Sequence, residues 1–301
     1  MVRPRLALGI LLIACVAPAQ EAPNPPLTVA IVGASASAGF SDQLVTANTP
    51  DAREHNATIK LQRALLPLFA EGEVRVKDCS DVTMFLHAEK SGEHQVERAL
   101  RVEPDVVVAI DFLFWFGYSI RGGDRAARLR LQDKGLAVLA RIDRPLLVGD
   151  YPAMADIDPR MLHPRAVPDA ATLAELNERL RAWAASRPHV RVFPLDRLQR
   201  MLRTEKCVVE LGADRFELEA DDLLQTDHLH VTKLGMAVLV SHVSAALPEL
   251  APSLPALRPH AHTLADIVRA LDLADAVRLR GTRLEAQPAS ASKEPVARPR
   301  R

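Results

Sequence analysis

The chain has 301 residues, and its 38 lysines and arginines balance its 38 aspartates and glutamates. This zero net charge lacks the basic excess that is typical of nucleic-acid-binding proteins, so no nucleic-acid partner is expected. A hydrophobic fraction of 48% and a charged fraction of 25% are typical of a globular protein, which excludes disorder along the whole chain. Three cysteines are too few for a disulfide scaffold and lack the paired spacing of a zinc site.

The N-terminus has the pattern of an export signal. A basic start is followed by an apolar run over residues 6–16, which is shorter than the roughly 20 residues that span a bilayer. Residues 17–19 fit a small-x-small cleavage site, so residues 1–19 are predicted to be a signal peptide and the protein to be periplasmic or extracellular. Alternatively, the segment that ends at Cys15 is a bacterial lipobox, and a lipid on Cys15 would be the protein's contact with a membrane.

The middle of the chain alternates short apolar runs with helical patterns. Continuous apolar strands that alternate with helices predict a parallel sheet covered on both faces, with ligands bound at the carboxyl ends of the strands. The predicted strands are residues 27–33, 74–76, 105–111, 145–149 and 189–193, and the predicted helices are residues 58–70, 94–102, 125–142, 170–186 and 232–246.

The C-terminal part differs in composition from the middle. Residues 249–285 are predicted to be a Pro-rich linker followed by one amphipathic helix over residues 263–284. Residues 286–301 are rich in Pro, Ala and Ser, end in basic residues, and are predicted to be a disordered tail. An oxidising compartment permits a disulfide between Cys79 and Cys207, and two buried free thiols are the alternative.

A turn of small residues follows the first predicted strand and carries Ser35. No lysine follows its second glycine as in a phosphate loop, and its glycine spacing is not that of a dinucleotide-binding turn or of the Gly-x-Ser-x-Gly elbow. Ser35 lies at the carboxyl end of the strand, where it acts either as a nucleophile, if a base reaches it, or as a helix cap.

The candidate base lies far downstream, in the segment that precedes the last long helix. Asp227 and His230 are three residues apart, so one tight turn places their side chains on the same side. The carboxylate can then hold one imidazole nitrogen and leave the other to take a proton from Ser35. The alternative is that Asp227 caps the helix and His230 is a surface residue.

Together, the two motifs resemble the SGNH (GDSL-like) hydrolase family over residues 27–248. Gly33-x-Ser35 with Gly39 resembles the first block of the family, with Ala34 in place of its Asp, and Asp227-x-x-His230 resembles the last block. The resemblance implies an α/β, flavodoxin-like three-layer fold with a parallel sheet of about five strands. It also implies ester hydrolysis without metal or organic cofactor, with Ser35 as nucleophile, His230 as base and Asp227 as its orienting group.

The oxyanion-hole positions depart from the family pattern. Family members use the N–H of the nucleophile, a glycine N–H after the second strand and an Asn side chain after the third. Here Ser80 stands near the glycine position and is expected to offer its N–H beside that of Ser35. Phe114 stands where the Asn lies, so the indole N–H of Trp115 is the favoured substitute donor.

Five of the twelve aromatic residues cluster between residues 112 and 118. In an extended conformation, alternate residues would line one face. These alternate residues are Phe112, Phe114, Phe116 and Tyr118. One interpretation is that the segment forms an apolar wall beside Ser35 that holds an acyl group, with Phe112, Phe114 and Trp115 predicted to bind the substrate; the other is core packing.

These patterns lead to one favoured function and two alternatives. The favoured function is an exported serine hydrolase that cleaves an ester, an O-acyl group of a glycan or lipid, with a small molecule or glycan as its partner. The alternatives are a non-catalytic domain of the same fold that binds a glycan or envelope component, and an O-acyltransferase that uses the same residues. A metal role for His260 and His262 is disfavoured, since they lie in a Pro-rich linker with no third ligand nearby. A metal role for His228 beside Asp227 is also disfavoured, because imidazoles near carboxylates have many other uses.

Overall fold

The computed structural model describes residues 25–41, 50–154 and 157–285; for residues 50–52 it describes the backbone but not the side chains. Five parallel strands form the central sheet in the order β2-β1-β3-β4-β5. This is the flavodoxin-like order of doubly wound folds, and it confirms the predicted α/β class and the five-stranded parallel sheet. The strands are β1 (Leu27–Ile31), β2 (Val74–Asp78), β3 (Val106–Ala109), β4 (Leu146–Gly149) and β5 (Val190–Phe193).

Twelve helices surround the described strands or connect them. They are α1 (Ser35–Ala38), α2 (Pro50–His55), α3 (Leu61–Leu65), α4 (Ala88–Arg101), α5 (Phe114–Gly117), α6 (Arg125–Leu139), α7 (Ala170–Ala185), α8 (Leu195–Thr204), α9 (Ala220–Leu223), α10 (Lys233–Leu250), α11 (Leu264–Ala270) and α12 (Ala274–Arg280). Short 3-10 turns occupy Leu66–Leu68, Pro164–Ala166 and Pro255–Leu257.

The sheet separates two apolar layers. Successive side chains of a strand point to opposite faces, so Val29 and Ile31 of β1 pack with α3, α8 and α10, whereas Ala30 packs with α4, α6 and α7. All four residues of β3 are buried, as expected of a β-branched strand in the middle of a parallel sheet. Thr232 caps the start of α10, because its hydroxyl accepts the Gly235 N–H at 3.2 Å.

The C-terminal part differs from the sequence-based expectation. Residues 263–284 form α11, α12 and a short strand β8 (Thr282–Leu284) in place of one helix. The break falls at Asp272, whose φ of 55° lies in the left-handed region. β8 pairs with a hairpin that the sequence did not reveal, β6 (Cys207–Leu211) and β7 (Asp214–Leu218). Both helices contribute buried residues to the layer under α10, so this segment packs on the main core.

Three further sequence-based expectations concern the chain ends and the cysteines. The predicted signal peptide, the lipobox cysteine Cys15 and the basic tail lie outside the described residues. Cys79 and Cys207 are both free thiols. Among the described residues, no helix combines the length and apolar character needed to cross a membrane.

Candidate active site

Ser35 is the first residue of α1 and follows the carboxyl end of β1. The turn that carries it requires Gly33, because a Cβ there would lie 2.1 Å from the Asp111 Oδ1 atom. Gly39 ends the short helix at a φ of 78°, which favours glycine. The small residues of this segment therefore allow the turn to pack closely against the end of β3, and Ser35 is left partly exposed.

Asp111, just beyond the end of β3, holds this turn in place. Its carboxylate is buried and accepts the Ala36 N–H at 2.9 Å, the Ser37 N–H at 3.2 Å and the Ser37 hydroxyl at 2.6 Å. Burial raises the pKa of Asp111, and these hydrogen bonds oppose that rise. The N–H of Ser35 has no acceptor within the described chain, so it remains available to a ligand.

A second buried side chain fixes the other side of the turn. Gln95 of α4 accepts the Gly33 N–H at 2.7 Å, and it is 62 residues away in the chain. The sequence analysis did not identify the roles of Gln95 and Asp111. One signal was present, since Asp111 is a carboxylate directly after a fully apolar strand, where a polar residue needs a buried partner.

Asp227 and His230 form a buried, hydrogen-bonded pair in the loop before α10. The His230 Nδ1 atom lies 2.6 Å from Asp227 Oδ2, and the N–H groups of Leu229 and His230 both donate to Asp227 Oδ1 at 2.9 Å. Burial raises the pKa of Asp227, but the hydrogen bond and charge of His230 and the two N–H groups outweigh it, so the pKa lies below its usual value. Asp227 therefore fixes the imidazole, and Nε2 has no hydrogen-bond partner among the described residues.

The loop around this pair is held by buried amide groups. Gln225 donates to the carbonyl oxygens of Phe40 and Val231, at 2.9 and 2.8 Å. Gln199 of α8 donates to the Leu229 carbonyl oxygen at 3.1 Å. The Phe40 ring packs against the His230 ring, with 4.3 Å between their centroids. These contacts restrict the imidazole to one orientation.

Ser35 and His230 border two cavities that meet at this edge of the sheet. The outer cavity, of about 340 Å³, has mainly apolar walls that include Phe40, Phe85 and Trp115. The inner cavity, of about 50 Å³, lies against Asp111 and Phe114. Within the described residues, no hydrogen bond joins Ser35 to His230. Such bonds are often long in ligand-free sites and form when substrate binds.

Ser80 follows β2 beside the Ser35 turn, but its N–H is not free, contrary to the sequence-based assignment. Its N–H donates to Asp78 Oδ1 at 3.0 Å, and its hydroxyl bonds to the same oxygen. Ser80 borders neither cavity. The neighbouring N–H groups of Cys79 and Asp81 donate to the Ile31 and Gly33 carbonyl oxygens at 2.8 and 3.0 Å, so Ser80 is near the turn, but its own N–H is already used by Asp78.

The aromatic segment divides between core and cavity because it folds as the short helix α5 and not as an extended strand. Phe112 is fully buried against Phe116, at 5.6 Å between ring centroids, and borders neither cavity, so it is a core residue. Phe114 borders the inner cavity and Trp115 the outer one, as the acyl-wall interpretation requires. Trp115 is 8% exposed, and its indole N–H has no acceptor among the described residues.

The described residues contain no cluster of three or more His, Cys, Asp and Glu side chains arranged to hold a metal ion. His260 and His262 lie between α10 and α11, away from Ser35, and the His260 N–H donates to the Leu68 carbonyl oxygen at 2.8 Å. The candidate site thus consists of Ser35, Asp227 and His230, with Asp111 and Gln95 beneath the turn.

Comparisons with known proteins give fold-level likeness only. No family model and no curated protein matches the chain. Among solved structures, the chain is similar to LAE5, an α/β hydrolase enzyme from the metagenome of Lake Arreo, Spain, with a TM-score of 0.44, 14% identity, and coverage of 74% of this chain and 96% of that one. It is also similar to BT4096, a gut microbial diltiazem-metabolizing enzyme, with a TM-score of 0.44, 11% identity and coverage of 73% of this chain, but it spans only 46% of that protein.

Proposed function

We propose that this protein is an SGNH-like serine hydrolase that cleaves an ester. The single observation that supports this best is the buried Asp227–His230 pair, since His230 borders the same two cavities as Ser35. A carboxylate, an imidazole and a hydroxyl in this order are the parts of a general-base-activated nucleophile. We further propose export through residues 1–19 and an O-acyl group of a glycan or lipid as the substrate.

In the proposed reaction, the Ser35 oxygen attacks the acyl carbonyl carbon while His230 Nε2 takes the hydroxyl proton. Asp227 stabilises the imidazolium that forms, through the bond to Nδ1. His230 then gives the proton to the leaving alkoxide, and an acyl group stays on Ser35. A water molecule, deprotonated by His230, attacks this acyl group and restores the free serine.

The developing oxyanion needs donors that are not already used. The N–H of Ser35 meets this condition, because Asp111 takes the N–H groups of the next two residues. Trp115 contributes to the wall of the outer cavity, and its indole N–H is a second donor that is buried without an acceptor among the described residues. Each donor of this kind is worth about 10²–10³ in turnover.

A fluorophosphonate probe tests this proposal, because it reacts only with an activated serine. We expect labelling of the full-length protein that is lost in Ser35→Ala and retained in Ser80→Ala, the matched control whose serine lies outside both cavities. Peptide mapping should place the label on Ser35. A wild-type protein that is silent to the probe and inactive on a broad ester panel would contradict the proposal.

A second candidate is a non-catalytic domain that binds a glycan or envelope component. The observation that favours it is the pair of substitutions at the oxyanion positions, since Phe114 offers no donor and the Ser80 N–H is occupied. Under this candidate, a glycan ligand would bind equally well to wild type and Ser35→Ala, and neither protein would be labelled.

A further inference from the structure

A third cavity adjoins the outer cavity. This side cavity has a volume of about 300 Å³ and lies between the start of α4 and the segment after α5. Phe85, Trp115 and Ile120 are walls of both cavities. A ligand at Ser35 can therefore extend past Trp115 into the side cavity without leaving the surface of the protein.

The boundary between the two cavities is unusually apolar for an exposed surface. Val82, Phe85, Leu86 and Ile120 are each 38–47% exposed, and they are four of the seven large hydrophobic side chains that are strongly exposed in the described chain. All four border one or both cavities. Contiguous exposed apolar surface beside a site is typical of a ligand-binding groove, because covering it removes apolar area from water.

The far end of this apolar surface is positively charged. Lys90 and Arg121 border the side cavity, and neither has an ion-pair or hydrogen-bond partner within the described part of the chain. Glu89 borders it too, but its carboxylate is paired with Lys134 at 2.7 Å. His87 is the remaining titratable group of the wall. Two uncompensated cations thus face a cavity whose one carboxylate already has a counter-charge.

We propose that the substrate is an amphiphilic ester that carries an anionic group. Its scissile carbonyl lies at Ser35, its apolar segment covers Phe85 and Ile120, and its carboxylate or phosphate binds Lys90 and Arg121. This proposal depends on the proposed function in one respect, namely that the reacting carbonyl is at Ser35. The anion belongs either to the acyl chain or to the alcohol, and both sources give the same contacts.

The catalytic test compares matched neutral and anionic esters. For the acyl side, the p-nitrophenyl monoester of suberic acid is compared with p-nitrophenyl octanoate; for the alcohol side, the acetyl ester of a hydroxyoctyl phosphate is compared with octyl acetate. We expect a preference in kcat/KM for the anionic member of one pair. In the double variant Lys90→Gln, Arg121→Gln this preference should fall by roughly threefold to thirtyfold, the effect of losing two exposed charge pairs.

Two controls make the loss specific. The double variant Lys77→Gln, Arg130→Gln removes the same charges from exposed positions that border neither cavity, and it should keep the preference. Raising the ionic strength should reduce the preference of the wild type, because exposed charge pairs are screened. Equal kcat/KM for both members of both pairs, or an equal loss in both double variants, would overturn the proposal.

A binding measurement separates failure of this proposal from failure of the proposed function. Octyl phosphate and octanol are titrated calorimetrically into Ser35→Ala protein, which needs no catalysis. We expect tighter binding of octyl phosphate, lost when Lys90→Gln and Arg121→Gln are added. If the wild type neither labels nor hydrolyses but this binding preference holds, the serine-hydrolase proposal fails and the anion site stands. If octyl phosphate and octanol bind alike, the anion site is refuted whatever the activity.

Discussion

Asp111 is the residue on which the geometry of the Ser35 turn most depends. In Asp111→Ala, the part-buried N–H of Ala36 and the buried N–H of Ser37 lose the one acceptor that they have among the described residues. Each unsatisfied group costs about 1–3 kcal/mol, so the free energy of unfolding should fall by about 2–6 kcal/mol. That is a large share of the roughly 5–15 kcal/mol that stabilises an ordinary domain.

The isosteric variant Asp111→Asn should be much milder. The side-chain carbonyl oxygen of the asparagine can take the place of Oδ2 and accept both N–H groups. Its NH2 group can donate to the oxygen of the Ser37 hydroxyl, which in wild type donates its hydrogen to Asp111 Oδ1. Both N–H groups keep their acceptor, although the Ser37 hydroxyl hydrogen loses its own in either variant, so we expect Asp111→Asn to be at least about 2 kcal/mol more stable than Asp111→Ala.

The stabilities of Asp111→Asn and of wild type should also differ in their dependence on pH. Burial raises the native pKa of Asp111 above its unfolded value of about 3.9. Between the two values the native state holds more protons than the unfolded state, so this residue makes wild-type stability fall as pH rises through that window. Asp111→Asn lacks this titration, so its stability relative to wild type should increase with pH above about 3.9 and then level off.

Urea unfolding of the three proteins, with linear extrapolation, measures these differences. The rate of fluorophosphonate labelling at Ser35 reports the turn directly, and it should fall in Asp111→Ala and largely survive in Asp111→Asn. An alanine variant as stable and as quickly labelled as wild type would show that Asp111 does not hold the turn. A pH-independent stability difference between Asp111→Asn and wild type would refute the electrostatic part of the reasoning.

The remaining predictions concern the proposed chemistry. His230→Ala should abolish ester turnover and probe labelling while His228→Ala keeps both, and a His230→Ala protein with full activity would end this assignment. Asp227→Asn should lower kcat by about 10²–10⁴ with a circular dichroism spectrum like that of wild type, because the imidazole loses its fixed tautomer. Because the pKa of Asp227 is lowered in the folded state, its ionised carboxylate stabilises the fold at pH values above its unfolded pKa of about 3.9, and this stabilisation is lost as pH falls through the native pKa. The difference in stability between wild type and Asp227→Asn should therefore narrow in acid. A difference that widens in acid would contradict this reasoning. Trp115→Phe should lower kcat by about 10²–10³ at nearly constant KM if the indole N–H serves the oxyanion, whereas equal kcat would exclude it.

Local pattern was enough to predict the sheet and the two ends of the site. The apolar runs alternate with helical segments. A short run that is apolar at every position is typical of a strand in a parallel sheet whose two faces are both covered by helices. Asp227 and His230 could be proposed as a pair from sequence because they are three residues apart, a spacing that one tight turn brings together. Ser35 could be placed at the strand end for the same reason, since its position depends on the turn that follows β1.

What lies beneath and around these residues was decided by tertiary structure. Asp111 and Gln95 reach the Ser35 turn from 74 and 62 residues away, through the packing of β3 and α4 against β1. The segment around Phe112 was expected to be extended, but it turns into α5, which sends Phe112 to the core and leaves Trp115 at a cavity wall. Side-chain periodicity specifies a face only once the local conformation is known, and that conformation depends on contacts between segments distant in the chain. The cavities, which are gaps between several such segments, are therefore a property of the folded chain alone.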